Sequence, residues 1–208
     1  MGHRARRPVR HPHRRRPAAV TATPGLTASQ TVGPFYGYAL PFPGGGDIAP
    51  AGDPRTLTLH GVVRDGDGAP VPDALLEFWQ AAPDGSRGGA PGSLRRDPVT
   101  GAVAGRDGTA FTGFGRVPTD ADGHYTVRTL PPGDRAPYLC VLVFARGLLH
   151  HLHTRAYLPG HPDDALLAAL PEHRRATLRA TPERDGVLRF DIRLQGDDTE
   201  ETVFLEFL

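Results

Sequence analysis

Arg146 is the residue whose surroundings say most about chemistry. It follows an almost continuously apolar run, Tyr138 to Ala145, and precedes Gly147. A guanidinium brought out of a buried run needs an anion to meet it. That anion is either a structural Asp or Glu, or a ligand in a pocket that the planar guanidinium fork can grip. Just downstream, His150-His-Leu-His153 puts His151 and His153 on one face of an extended segment, a spacing that can ligate a metal. Tyr138 and Cys140 share the same two-residue spacing; thiolate and phenolate both bind ferric iron, but without two further ligands such a site is incomplete. Asp65, Asp67 and Asp73 lack the calcium-loop pattern with its terminal bidentate glutamate and read as turn and loop chemistry.

The elements that must position these residues are short and extended. Thr56 to Val63 alternates apolar and polar, the period of a half-buried strand, and runs into the turn residues Asp65-Gly-Asp-Gly68. Ala74 to Gln80 is the next strand, and its Trp79 reads as core or subunit interface. His124 to Leu130 is a strand entered through Asp120-Ala-Asp-Gly123 and left through Pro131-Pro-Gly133. Tyr138 to Ala145 has the unbroken apolarity of a central strand, and His150 to Leu158 alternates again. Asp163 to about Thr181 carries leucines at helical spacing, with Pro171 as an interruption. Val187 to Leu194 and Thr202 to Phe207 close the chain as strands. Pro83 to Gly108, rich in Gly, Ser and Arg, reads as a long loop. Repeated short strands with Gly/Pro turns predict an all-β sandwich with long loops and one short helix.

Composition narrows the functional classes. With 26 Gly and 22 Pro in 208 residues a helical bundle is disfavoured, and no apolar run approaches the roughly 18 residues of a membrane helix. The lone Cys140 permits no intrachain disulfide and fits a reducing cytoplasm. Seven of the 24 basic residues, all of them arginine, fall in residues 1–16, leaving 17 against 23 acids in the rest. Residues 1–25 lack hydrophobic period and read as a disordered Arg/Pro-rich extension; residues 26–208 form the folded domain. No aromatic residue lies among those arginines and no nucleic-acid-binding fold follows, so a nucleic-acid arm is set aside. A twin-Arg export signal is set aside too, because Pro24 breaks an already weakly apolar stretch.

Thr27-Ala-Ser-Gln-Thr-Val-Gly-Pro-Phe35 closely resembles the segment that opens the protocatechuate-type intradiol aromatic-ring dioxygenases. Further motifs follow in the family's order: Gly61-Val-Val-Arg-Asp, Leu76-Glu-Phe-Trp-Gln80, Phe111-Thr-Gly-Phe-Gly-Arg116, Thr119-Asp120, Phe144-Ala-Arg-Gly147, His151-Leu-His-Thr-Arg155 and Arg189 to Gly196. The resemblance runs from about Leu26 to Leu208 and is specific because several ordered motifs carry it.

What the resemblance implies is a prealbumin-like β-sandwich and a place in a hetero-oligomer of two homologous chains. In that family a β chain binds Fe(III) with two tyrosines and two histidines, and an α chain lacks the metal. Here Tyr138 and Cys140 stand where the β chain's His pair would be, and the segments that bring its tyrosines have no counterpart, so the resemblance points to the iron-free chain with no metal of its own. It assigns no metal to His151 and His153 either. The implied substrates are protocatechuate and O2. The implied contribution of this chain is pocket wall from Thr31, Gly33, Pro34 and Phe35, and one catalytic residue, Arg146. Phe35 stands where relatives often carry Tyr, and so lacks a hydroxyl; Tyr138 stands where they commonly carry His. The alternative expectation is a non-catalytic binding or scaffold module that kept the fold and lost the enzyme.

Overall fold

The computed structural model describes residues 27–33, 35–88 and 94–206. The Arg/Pro-rich segment 1–25, Pro34 and Phe207 lie outside the described residues.

Strict alternation along Leu57–Arg64 makes strand β1, with Leu57, Leu59, Gly61 and Val63 inward and Thr58, His60, Val62 and Arg64 at the surface. It pairs antiparallel with β6 (His124–Thr129) on one side. On the other side lie two short parallel partners, β10 (Val187–Arg189) and β11 (Ile192–Arg193), with β9 (Thr181–Arg184) beyond β10. The second sheet is wholly antiparallel, in the order β5 (Phe114–Pro118), β2 (Leu75–Trp79), β7 (Tyr138–Phe144) and β8 (Leu152–Tyr157). The inward faces of the two sheets meet in one core. Leu59, Val63, Phe78, Tyr125, Leu139, Val141 and Ile192 are essentially inaccessible there, and the Phe78 and Tyr125 rings pack at 5.6 Å. Residues 45–48 stitch the two sheets together at one side: Gly45 O accepts from Arg116 N, Gly46 O accepts from Arg128 N, and Ile48 N donates to Arg128 O. The expected β-sandwich is therefore the fold.

Four local expectations are corrected. The apolar run 187–194 is two strands, not one. Between them the carbonyl of Phe190 turns inward to accept a hydrogen bond from the buried Tyr125 hydroxyl. It also crowds β1: a Cβ on Gly61 would lie 1.9 Å from that oxygen, so only glycine fits there. Residues 163–181 give two short helices, α2 (Ala165–Ala169) and α3 (Glu172–Ala176), because Pro171 cannot donate within a continuous helix and pushes Leu170 to an extended backbone; Thr181 already belongs to β9. A third short helix, α1 (Tyr36–Ala39), follows the N-terminal motif. The stretch 83–108 contains a hairpin, β3 (Leu94–Arg96) and β4 (Val103–Arg106), whose turn is closed by Asp97 accepting from Val99 N and Thr100 N. Finally, residues 202–206 form no strand: Val203 O accepts from Thr154 Oγ1 and Leu205 N donates to His153 O, fastening the segment to β8 without a ladder.

Candidate functional site

Tyr138, Cys140, Leu142 and Phe144 occupy the outward positions of β7, so its inward side chains end with the buried Ala145 and the chain then turns at Arg146-Gly147. Arg146 is thus placed in a turn, with 60% of its side chain exposed, and its Nε meets Asp73 Oδ2 at 2.8 Å. The buried guanidinium expected from the apolar run is corrected: the strand stops before Arg146, and the anion that meets it is a carboxylate of this chain.

Asp73 is held from several sides. It adopts φ +62°, the one left-handed non-glycine residue among those described. Its carbonyl accepts from the hydroxyl of Tyr36 at 2.7 Å. The turn before it is clamped by the buried Thr119, whose Oγ1 donates to Val71 O (2.8 Å) and accepts from Ala74 N (2.9 Å). The phenol of Tyr36 is pushed above its ordinary pKa, first by burial and then by the negative charge of Asp73; Arg146 opposes the shift.

Through Tyr36 the N-terminal motif reaches the Arg146 corner. Both also border a cavity of about 250 Å³, lined by Gln30 and Val32 from the motif and by Phe144, Ala145, Leu148, Leu149, His150 and His151 from the corner. Thr31 is exposed beside it, and Gly33 adopts φ +77° with open space around its Cα, so its glycine serves the left-handed bend more than a close approach. Phe35 opens α1 with 79% of its surface exposed. Pro34 lies outside the described residues. The structure thus brings the motif and Arg146 to one corner, but Gln30 and Val32 face the cavity in place of Thr31 and Gly33. Sequence reasoning missed Tyr36 and Asp73 as well; the one signal for Asp73 was a polar residue after Pro72, able to take a left-handed conformation.

His151 stacks on Phe144 at 5.2 Å and meets the His153 ring edge-on at 4.6 Å. The His153 imidazole is held below its ordinary pKa, mainly by desolvation and then by His151. Trp79 is not core: it is 49% exposed on the outer face of the second sheet, against Phe114 at 4.4 Å.

The outer face of β7 and β8 is where Tyr138 and Cys140 could offer donors to a metal. Cys140 lies opposite Arg155 in the ladder, and the Arg155 guanidinium rests 4.1 Å from the centre of the Tyr138 ring. Tyr157 donates to Asp164 Oδ2 at 2.8 Å, while Asp164 Oδ1 caps α2 through Leu167 N. Burial raises the Tyr157 phenol and the Cys140 thiol alike, disfavouring the anions a metal would take. A fixed cation therefore sits among the phenols, and no group of three or more His, Cys, Asp or Glu able to hold a metal occurs among the described residues. These side chains do not fit an iron ion.

A dioxygenase family model matches residues 45–194. The protocatechuate 3,4-dioxygenase alpha chain of Burkholderia cepacia is 42% identical, over 86% of this chain and 96% of its own. That of Pseudomonas putida is 32% identical, over 87% and 96%. Among solved structures, the dioxygenase domain of a dioxygenase carbohydrate-binding fusion from Streptomyces sp. SirexAA-E superposes with a TM-score of 0.52 at 27% identity, over 81% of this chain and 97% of that domain.

Proposed function

The chain belongs to the intradiol ring-cleaving dioxygenases, as a relative of the protocatechuate 3,4-dioxygenase alpha chains, and from that premise we propose that it is the iron-free partner in a two-chain enzyme. Intradiol dioxygenases depend on iron. In this reading a homologous β chain binds Fe(III), and the pair assembles into a higher (αβ)n complex in the cytoplasm. Protocatechuate is opened between its two hydroxyl-bearing carbons, and both atoms of O2 enter the product, 3-carboxy-cis,cis-muconate, without an external reductant.

The observation that carries the proposal is the near full-length identity to two alpha chains, together with a β7–β8 face whose donors do not fit iron. This chain's own work is then to bind and orient. The segment Thr31, Gly33, Pro34 and Phe35 supplies wall to the pocket shared with the β chain, beside the cavity that Gln30 and Val32 line within this chain, with Phe35 offering an exposed apolar ring and no hydroxyl. Arg146 supplies positive charge at the edge, where an anionic aromatic acid can meet a guanidinium already oriented. Iron supplies the activation of the catechol toward O2 when the partner is bound. Residues 26–208 act as the one domain, and residues 1–25 as an extension outside it.

The test is co-expression with and without the candidate β chain, followed by iron analysis and a protocatechuate assay. The expected result is activity and stoichiometric iron only in the co-purified complex. Iron with a tyrosinate charge-transfer band in the chain purified alone would overturn the assignment.

A further inference from the structure

We propose that Asp73 is a positioning residue for Arg146: it grips Nε so that the terminal nitrogens of the guanidinium are presented to the carboxylate of an aromatic acid. The inference rests on the role given to Arg146 above and adds the residue through which that role is set.

Arg146 on its own is poorly placed to be precise. It lies in a turn beside Gly147 at φ +88°, and most of its side chain is in solvent. A long side chain in that position samples many rotamers, and fixing it costs entropy at the moment of binding. Asp73 has the opposite character. Its backbone is fixed in a left-handed conformation, its carbonyl is tied to Tyr36, and the turn before it is locked by the buried Thr119. The carboxylate of Asp73 meets Arg146 at Nε. An arginine held by Nε keeps its two terminal nitrogens for a second anion, in the end-on geometry that suits a planar carboxylate. As a contribution to stability an exposed ion pair is weak. Orientation is what a carboxylate on a fixed backbone can add at this place. The tyrosine tether extends the argument to the N-terminal motif, because Tyr36 is the residue through which that motif touches Asp73.

The proposal makes a prediction about sign. Removing the charge of Asp73 strengthens the net positive potential at Arg146, which by itself tightens binding of an anion. Loss of orientation does the reverse. In the co-purified two-chain enzyme, Asp73→Asn is expected to lower kcat/KM by about 3–10-fold, chiefly through a higher KM, with the iron absorbance unchanged. In an Arg146→Ala background the same substitution is expected to change kcat/KM by less than about 2-fold, since the two residues act as one unit.

Wild-type kinetics in Asp73→Asn, or a lower KM, overturns the proposal. So does an equal loss in both backgrounds, which marks a purely structural role. If Arg146→Ala itself leaves kcat/KM unchanged, the reading of Arg146 fails and takes this one with it; if Arg146→Ala is impaired and Asp73→Asn is not, only the positioning role falls. Should Asp73→Asn fail to assemble, Tyr36→Phe releases the carbonyl while keeping the carboxylate. A roughly 2–3-fold loss that vanishes in the Arg146→Ala background supports the proposal, and wild-type kinetics there overturns it.

Discussion

Arg146 joins two requirements that seldom meet in one side chain: it is open to solvent, and it is held by a rigid anion 2.8 Å away. Because the ion pair is exposed, replacing Arg146 costs little stability, and the consequence falls on turnover. In the two-chain enzyme Arg146→Ala is expected to lower kcat/KM about 10–100-fold, equivalent to roughly 1.4–2.7 kcal/mol. Arg146→Lys keeps charge but loses the planar fork and should show a smaller, measurable loss. Wild-type steady-state kinetics in Arg146→Ala, with assembly intact, would reduce the residue to half of a surface ion pair. The arginine was legible in the sequence because a charge at the end of an apolar run breaks the pattern. Its partner was not: Asp73 is 73 positions apart from Arg146 in the chain, and a single Asp in a Val-Pro-Asp-Ala turn looks like turn chemistry until the fold closes. The burial attributed to Arg146 was also misjudged, since an apolar run does not reveal at which residue its strand stops.

Elements were legible in proportion to how strongly burial patterned them. The strands β1, β6 and β7 alternate cleanly between core and surface, and the sequence shows each of them within a residue or two. The hairpin of β3 and β4 was illegible because only Gly105 among its strand residues is buried, so no core imposes a period on them. β9 was likewise illegible beyond Thr181, where the helical reading ended: all of its residues are exposed. The division of the run 187–194 is a different case. Every apolar position was right, but the break at Phe190 depends on a partner in β6, the Tyr125 hydroxyl. That dependence is testable. Tyr125→Phe keeps the ring in the core and leaves the inward-facing carbonyl without its donor. A loss of about 1–3 kcal/mol is expected by urea unfolding, with the denaturant dependence unchanged. Stability equal to wild type would show that another donor serves that carbonyl.

On the scale of the whole molecule, apolar surface collects where the N-terminal motif lies. Phe35 and Tyr38 are almost fully exposed, and Val32 and Leu149 add open apolar area at the cavity. Large apolar patches left in water mark surfaces that bind something, and a second chain is the occupant proposed above. The chain expressed alone is expected to self-associate in analytical ultracentrifugation, and to be recovered as a discrete complex on co-expression. A well-behaved monomer with a single cooperative thermal transition would count against an obligate two-chain protomer. Removing residues 1–17 is expected to leave both assembly and activity intact, since those residues carry charge without apolar period; failure of that truncated chain to co-purify would make the segment an interface arm. The architecture as a whole was readable from turn spacing and alternation. The assembly was readable only through resemblance, because no pattern in one chain states what a second chain covers.

The guanidinium of Arg155 against the Tyr138 ring has a consequence for any attempt to seat a metal on this face. A positive charge already lies against the electron-rich ring face, where it repels an incoming metal cation. A metal is opposed there by charge as well as by missing ligands. Installing histidine at both Tyr138 and Cys140 should leave iron content at background, because a fixed positive charge remains about one residue's width away. Adding Arg155→Ala to that pair removes the charge without adding a ligand, and any rise in iron content there would measure the part played by charge. Iron uptake by the two-histidine variant alone would show that the arginine does not oppose a metal on this face.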